Sequence, residues 1–112
     1  MQRLPKNLVP GTVLGTTAST LYTVPGGTYT TISAMTVTNT SASVVEVTVY
    51  LVASGSSAGD SNIVFKRNIA PGESRVIGEA IAQTLHTGGT IQALASAGTS
   101  ANMVASGYET VA

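Results

Sequence analysis

The chain has no cysteine, no tryptophan, one histidine and very little charge. Without cysteine there is no disulfide framework, no thiol nucleophile and no Cys-based zinc or iron–sulfur site. The same absence leaves the redox compartment open. Five basic residues balance five acidic ones, so there is no electrostatic footprint for DNA, RNA or an anionic membrane. Charged residues make up 9% of the chain, against about 25% in an average soluble domain. A surface this poor in charge is weakly protected from self-association. It suits a protein whose faces are covered by neighbours, or one that works outside a crowded cytosol. A long apolar run is also missing. Pro5, Pro10 and Gly11 interrupt the start of the chain, which reads as neither a secretory signal nor a membrane span. The product is expected to stay in the cell that makes it until lysis.

Hydroxyls and glycine fill the gap left by charge: 17 Thr, 12 Ser and 12 Gly in 112 residues. Threonine suits a half-buried pleated surface, while serine and glycine supply turns. With aromatics at 4%, the core must be built from Val, Ile, Leu, Met and Ala. The length fits one domain. A domain of this size removes only about two thirds of its unfolded surface from water, so partner subunits would add to its stability.

Residues 1–19 stand apart, with two prolines, two glycines, Arg3 and Lys6. Leu4, Leu8, Val9, Val13 and Leu14 follow neither helical nor strand spacing. Two readings are open: a first edge strand with a fraying end, or an N-terminal arm that orders on a neighbouring subunit. Residues 20–112 read as strands between turns. The spacing predicts strands over 20–24, 29–39, 44–53, 63–69, 75–77, 90–95 and 102–111. Val45, Val47, Val49 and Leu51 share one face by period two. Gly78 to Leu85 is the only segment that could be helical, for about two turns. Six to eight short strands with regular turn signals, and no βαβ alternation, give an all-β fold: a small antiparallel β-sandwich, Ig-like or jelly-roll-like, with an extended N-terminal arm.

The inventory for catalysis is thin. His86 is the only imidazole to activate a serine or threonine, and it sits beside Gly88 and Gly89 in a turn. Asp60-Ser-Asn62 offers one carboxylate and one amide, fewer oxygens than a hard cation wants. The five carboxylates are spread singly. None of the glycine turns is followed by Lys-Ser/Thr and a helix, as a phosphate loop requires. Asn39-Thr-Ser41 matches the glycan acceptor pattern, an accidental match without a secretory signal. No enzyme activity, cofactor or metal is expected. Lys66 and Arg67, with Arg75 across the Pro71-Gly72 turn, form the one basic cluster. They read first as edge-strand protection and second as a docking patch on paired strands.

As a set, several runs resemble small virion proteins of tailed bacteriophages: Leu21-Tyr-Thr-Val-Pro-Gly-Gly-Thr-Tyr-Thr-Thr-Ile32, Met35-Thr-Val-Thr-Asn-Thr-Ser41 and Val47-Thr-Val-Tyr-Leu-Val52. The Ser/Gly loop to Asp60, Ile69-Ala-Pro-Gly-Glu-Ser74, Leu85-His-Thr-Gly-Gly-Thr-Ile-Gln-Ala93 and Ala105-Ser-Gly-Tyr-Glu109 complete it. The resemblance spans about 20–112 and is one of pattern. It implies a β-sandwich made in the bacterial host cytoplasm and incorporated into the virion, as a capsid decoration (cement) protein or a neck, tail or baseplate accessory. The partners implied are a major capsid protein or another virion protein, and the chain itself as a homo-oligomer such as a trimer. Neither nucleic acid nor membrane is implied. The expected partner-binding residues are Arg3, Leu4, Lys6, Leu8, Val9, Val13, Leu14, Lys66, Arg67 and Arg75. If 1–19 is an arm, a chain starting at Thr20 should fold yet fail to bind particles. A carbohydrate-binding or adhesin module is the rival, and two or more tyrosines on one open face would favour it.

Overall fold

A computed structural model describes residues 2–111; Met1 of the expected arm and Ala112 of the expected sandwich lie outside the described residues. Nine strands run β1 Gln2–Val13, β2 Ser19–Thr23, β3 Thr28–Asn39, β4 Val45–Val52, β5 Ile63–Ile69, β6 Ser74–Val76, β7 Thr84–Leu85, β8 Thr90–Ala95 and β9 Ala101–Val111. Two single 3-10 turns, Asp60–Asn62 and Gly78–Ala80, interrupt them. A five-stranded sheet has the order β1-β9-β3-β6, with the short β7 also paired to β3. A four-stranded sheet has the order β2-β8-β4-β5. All pairings are antiparallel.

The pairing scheme has one simple origin. Setting the two-residue β7 aside, first pairs with last (β1–β9), second with next to last (β2–β8), then β3 with β6 and β4 with β5. That is one long hairpin, bent at the β4–β5 connection and rolled so that successive pairs fall in opposite sheets. The result is a jelly-roll sandwich. The expected all-β sandwich is therefore present, and of its two expected forms the strand order matches the jelly roll.

The core lies between the sheets and is aliphatic, as the composition requires. Ile32, Met35 and Val37 of β3, with Met103 and Ala105 of β9, meet Val45, Val47 and Val49 of β4 and Ile91 and Ala93 of β8, all buried. Phe65 is the one phenylalanine and closes the β5 side. Alternation along β4 is as expected up to Val49. Beyond it Leu51 is half-buried but still packs against the core, and Val52 is buried as well.

Of the two readings open for residues 1–19, the described part shows the edge strand, so the arm is part of the sandwich. Gln2–Val13 is the edge strand of the five-stranded sheet, laid along β9 from Gln2 opposite Val111 to Val13 opposite Asn102. Leu8, Val9 and Leu14 are buried in the core. Their spacing hid this, because β1 carries register shifts between Asn7 and Val9 and between Val9 and Thr12. Each shift inserts residues without a partner and resets the period-two pattern. Leu8 and Val9 can thus both face inward. Pro5 and Pro10 fit an edge, where a missing N–H costs no ladder bond.

Two further expectations change. Gly78 to Leu85 is not a two-turn helix. After Gly78–Ala80 the chain is extended at Ile81 (φ −69°, ψ 135°) and left-handed at Ala82 (φ 71°). Ala82 N–H donates to the Ile32 carbonyl at 2.7 Å, and Ile32 N–H to the Gln83 carbonyl at 3.1 Å. Pairing with the edge of β3 satisfies these backbone groups and replaces the helix. Nor are β5 and β6 a hairpin: β5 pairs with β4 and β6 with β3. The Pro71-Gly72 turn carries the chain from one sheet to the other.

Asn39 is fully buried and explains the glycan match. Its amide donates to the carbonyls of Ser43 (2.7 Å) and Ile69 (2.9 Å), and its oxygen accepts from Ser41 N–H (2.9 Å) and hydroxyl (2.7 Å). It braces the crossing from β3 to β4 and is closed to a glycan in the folded chain.

Two outcomes are expected. Burying Leu8, Val9 and Leu14 contributes roughly 2 kcal/mol each, which together is comparable to the whole stability of a small domain at about 5–15 kcal/mol. A chain starting at Thr20 should therefore lose its cooperative thermal transition, read by circular dichroism. At Gly107 an added Cβ would overlap the Thr31 carbonyl oxygen across the β3–β9 seam. Gly107→Ala should cost about 3 kcal/mol in urea unfolding. Gly98→Ala, whose new carbon meets only Thr16 Cγ2 at 3.9 Å, should move the midpoint little.

Candidate interaction surface

The two sheets turn different faces to solvent. On β9, Ala101, Met103, Ala105 and Gly107 are buried, so Asn102, Val104, Ser106, Tyr108 and Thr110 face outward by period two. Register places Thr38, Thr36, Ala34, Thr31 and Tyr29 of β3 beside them in that order. Val76 of β6 continues the row from Val104 through Thr36. The face is hydroxyl-rich and open, and its aliphatic members stay wet: Val76 is 62% exposed, Val13 53% and Val104 49%. Hydroxyls partner one another within it, Thr38 Oγ1 lying 2.7 Å from Ser74 Oγ.

The outer face of the four-stranded sheet is partly covered by its own side chains. Thr48 is buried on it, flanked in register by Lys66 on β5 and Leu94 on β8. Glu46 opposite Asn68 adds the other charge. Cross-strand neighbours and long stems screen this face from water.

Of the ten expected partner-binding residues, Leu8, Val9 and Leu14 are core and cannot meet a partner. Arg3, Leu4, Lys6 and Val13 are exposed along β1. Arg3 does not reach out freely: its guanidinium stacks 4.6 Å from the Tyr108 ring centre. Lys66 and Arg67 are exposed on β5, and Arg75 is half-buried on β6 in the other sheet. Arg67 pairs with Glu79 at 3.3 Å and Arg75 with Glu73 at 3.4 Å, surface contacts worth little individually. Arg75 Nε is shielded and has no hydrogen-bond partner among the described residues.

A polar clamp between the sheets went unforeseen. Thr30 and Glu109 are register partners on β3 and β9, and Tyr22 reaches them from β2. Its hydroxyl donates to Glu109 Oε2 at 2.5 Å and lies 2.7 Å from Thr30 Oγ1. Lys6 Nζ stands 3.9 Å from the other carboxylate oxygen. Burial, the hydrogen bond to Glu109 and the carboxylate's charge push the Tyr22 phenol up to about 12. The residue types gave no signal for this, since the partners lie 87 positions apart in sequence.

A groove of about 570 Å³ opens where the 53–62 loop and the start of β5 face Gln83–Thr87. His86 lies on its rim and meets the Tyr29 ring edge-on, with centres 5.1 Å apart. Thr87 ties this segment to β3, its hydroxyl donating to the Thr28 carbonyl at 2.8 Å. Among the described residues no three His, Asp or Glu side chains gather to hold a metal ion. Comparison with family models, curated proteins and solved structures finds no match.

The clamp makes a pH prediction. The folded phenol titrates at about 12 and the unfolded one near 10. Its contribution is thus complete below about pH 10 and is lost as pH rises towards 12. Tyr22→Phe should lower stability at pH 8 by about 1 kcal/mol. It should also reduce the further loss seen in urea unfolding between pH 9.5 and 11.5, relative to the parent chain.

Proposed function

We propose that this chain is a non-enzymatic structural subunit of a bacteriophage particle, and most specifically a capsid decoration (cement) protein that bridges neighbouring capsid subunits. The observation that carries the reading is the open outer face of the five-stranded sheet, on a jelly roll. Jelly rolls serve in viral shells and also in lectins, so the architecture supports the reading by analogy only. The face adds a physical reason. Hydroxyls and small aliphatics form contacts without stripping water from charges, a step whose cost can exceed the Coulomb gain. Repeated around a shell, such contacts add up through symmetry. A neck, tail or baseplate position is served by the same chemistry.

One observation favours the carbohydrate-binding reading. Tyr29 and Tyr108 both face outward from the five-stranded sheet, and register makes them diagonal neighbours, since Tyr29 opposes Thr110 and Thr31 opposes Tyr108. However, Arg3 already stacks on Tyr108, leaving Tyr29, edged by the His86 ring, as the less covered of the two. Stacking one sugar on one ring is a weaker platform than the pair would be, which keeps this reading second.

Quantitative mass spectrometry of purified phage particles from the source culture tests the proposal. Several hundred copies per particle are expected for a shell protein. A dozen or fewer would move it to the neck, tail or baseplate, and absence from intact particles would overturn the virion reading.

A further inference from the structure

We propose that the outer face of the five-stranded sheet is where two copies of this chain dock, face to face, about a two-fold axis crossing the strands near Ser106. The face has relief that fits itself. Val76 and Val104 stand out at one end. At the other, a dip of about 300 Å³ is lined by Arg3, Thr31, Ile81, Ala82 and Tyr108. Val104 and Tyr108 are separated along β9 by roughly 14 Å at the usual rise per residue, with Ser106 midway. A two-fold axis at that level exchanges knob and dip, so each copy's valines enter the other's dip. The contact is isologous and closes at two copies.

Charge permits the same arrangement. Among the described residues facing outward from β1, β9, β3 and β6, Arg3 is the one charged side chain. The axis places the two Arg3 backbones at opposite ends of the β1 edge, and their guanidinium groups, each on its own Tyr108, roughly 14 Å apart by strand rise. That is beyond the screening length of about 8 Å in physiological salt. Each guanidinium already stacks on its own Tyr108, a pairing at home in a buried contact. The other sheet's face carries Glu46 and Lys66, charges that a face-to-face contact between copies would have to strip of water.

The area is sufficient. β1, β3 and β9 run eleven or twelve residues each. At usual strand spacings they present roughly 600 Å² per copy. Two such faces bury about 1,200 Å², the lower bound of the standard specific interface.

The inference rests on the reading of the chain as an assembly subunit and gives the open face to a second copy of this chain, so that any capsid contact falls to the rest of its surface; its test uses isolated protein. Sedimentation equilibrium of the full chain should give twice the 11.3 kDa chain mass. Val104→Arg, at a site already half exposed, should keep the parent's circular dichroism spectrum and raise the dissociation constant by about tenfold or more. Asn68→Arg, on the other sheet's face, should leave it unchanged. Because the chain has no cysteine, Ser106→Cys gives a single thiol, which a short bis-maleimide should cross-link between copies; Thr20→Cys should not. A parent chain that stays monomeric at millimolar concentration would overturn the inference. So would a trimer, or a dimer that folded Val104→Arg leaves intact. A monomer that still co-purifies with particles would overturn the dimer while leaving the virion reading standing.

Discussion

The close approach of backbones along the β3–β9 seam is the constraint on which the five-stranded sheet depends. These two strands pair from Thr28 opposite Val111 to Asn39 opposite Ala101, and no other strands flank both the core and the open face so completely. At Gly107 the Thr31 carbonyl occupies the space a Cβ would need. The register shift between Ile32 and Ala34 lies beside it. There Ile32 turns its N–H and carbonyl to Gln83 and Ala82, so the seam also fixes the segment after the 3-10 turn. From β9 the sheet extends to β1, and from β3 to β6. Tyr22 then ties the same two central strands to the opposite sheet.

Much of this fold was legible in the sequence because alternation survives where strands are regular. The strands at Ile63–Ile69 and Thr90–Ala95 have the bounds that the spacing predicted, and the valines of β4 point inward as far as Val49. Legibility failed where register broke. In β1 two shifts place Leu8 and Val9 on the same side, which no simple period can reveal. At Gly78–Leu85, small and apolar residues allowed a helix, but the free edge of β3 supplied better backbone partners. Period two also says nothing about which sheet a strand joins. The Pro71-Gly72 turn therefore looked like a hairpin while it serves as a crossing between sheets.

The surface follows the same logic. Arg67 and Arg75 sit with their own glutamates and Arg3 with its own tyrosine, so much of the chain's scarce positive charge is already paired at its surface. The face left open to solvent is the one made of threonine, serine and valine. Its signal was present in the outward-facing Val104 of the last strand, but only a known strand order aligns that residue with Val76 across Thr36. An open face of this kind is assembled from residues distant in sequence, each unremarkable alone.

The pairing of the first strand with the last carries a kinetic consequence. β9 must slot between β1 and β3, so neither neighbour can complete its ladder until nearly the whole chain is available. Contacts so distant in sequence make folding slow relative to helical domains of similar size. Until β9 arrives, β1 and β3 offer unpaired edges, and the scarcity of charge gives these edges little protection against pairing with another nascent chain. The scarcity of charge that leaves the finished molecule's outer face open thus also exposes its unfinished form to pairing with other chains, which dilution works against.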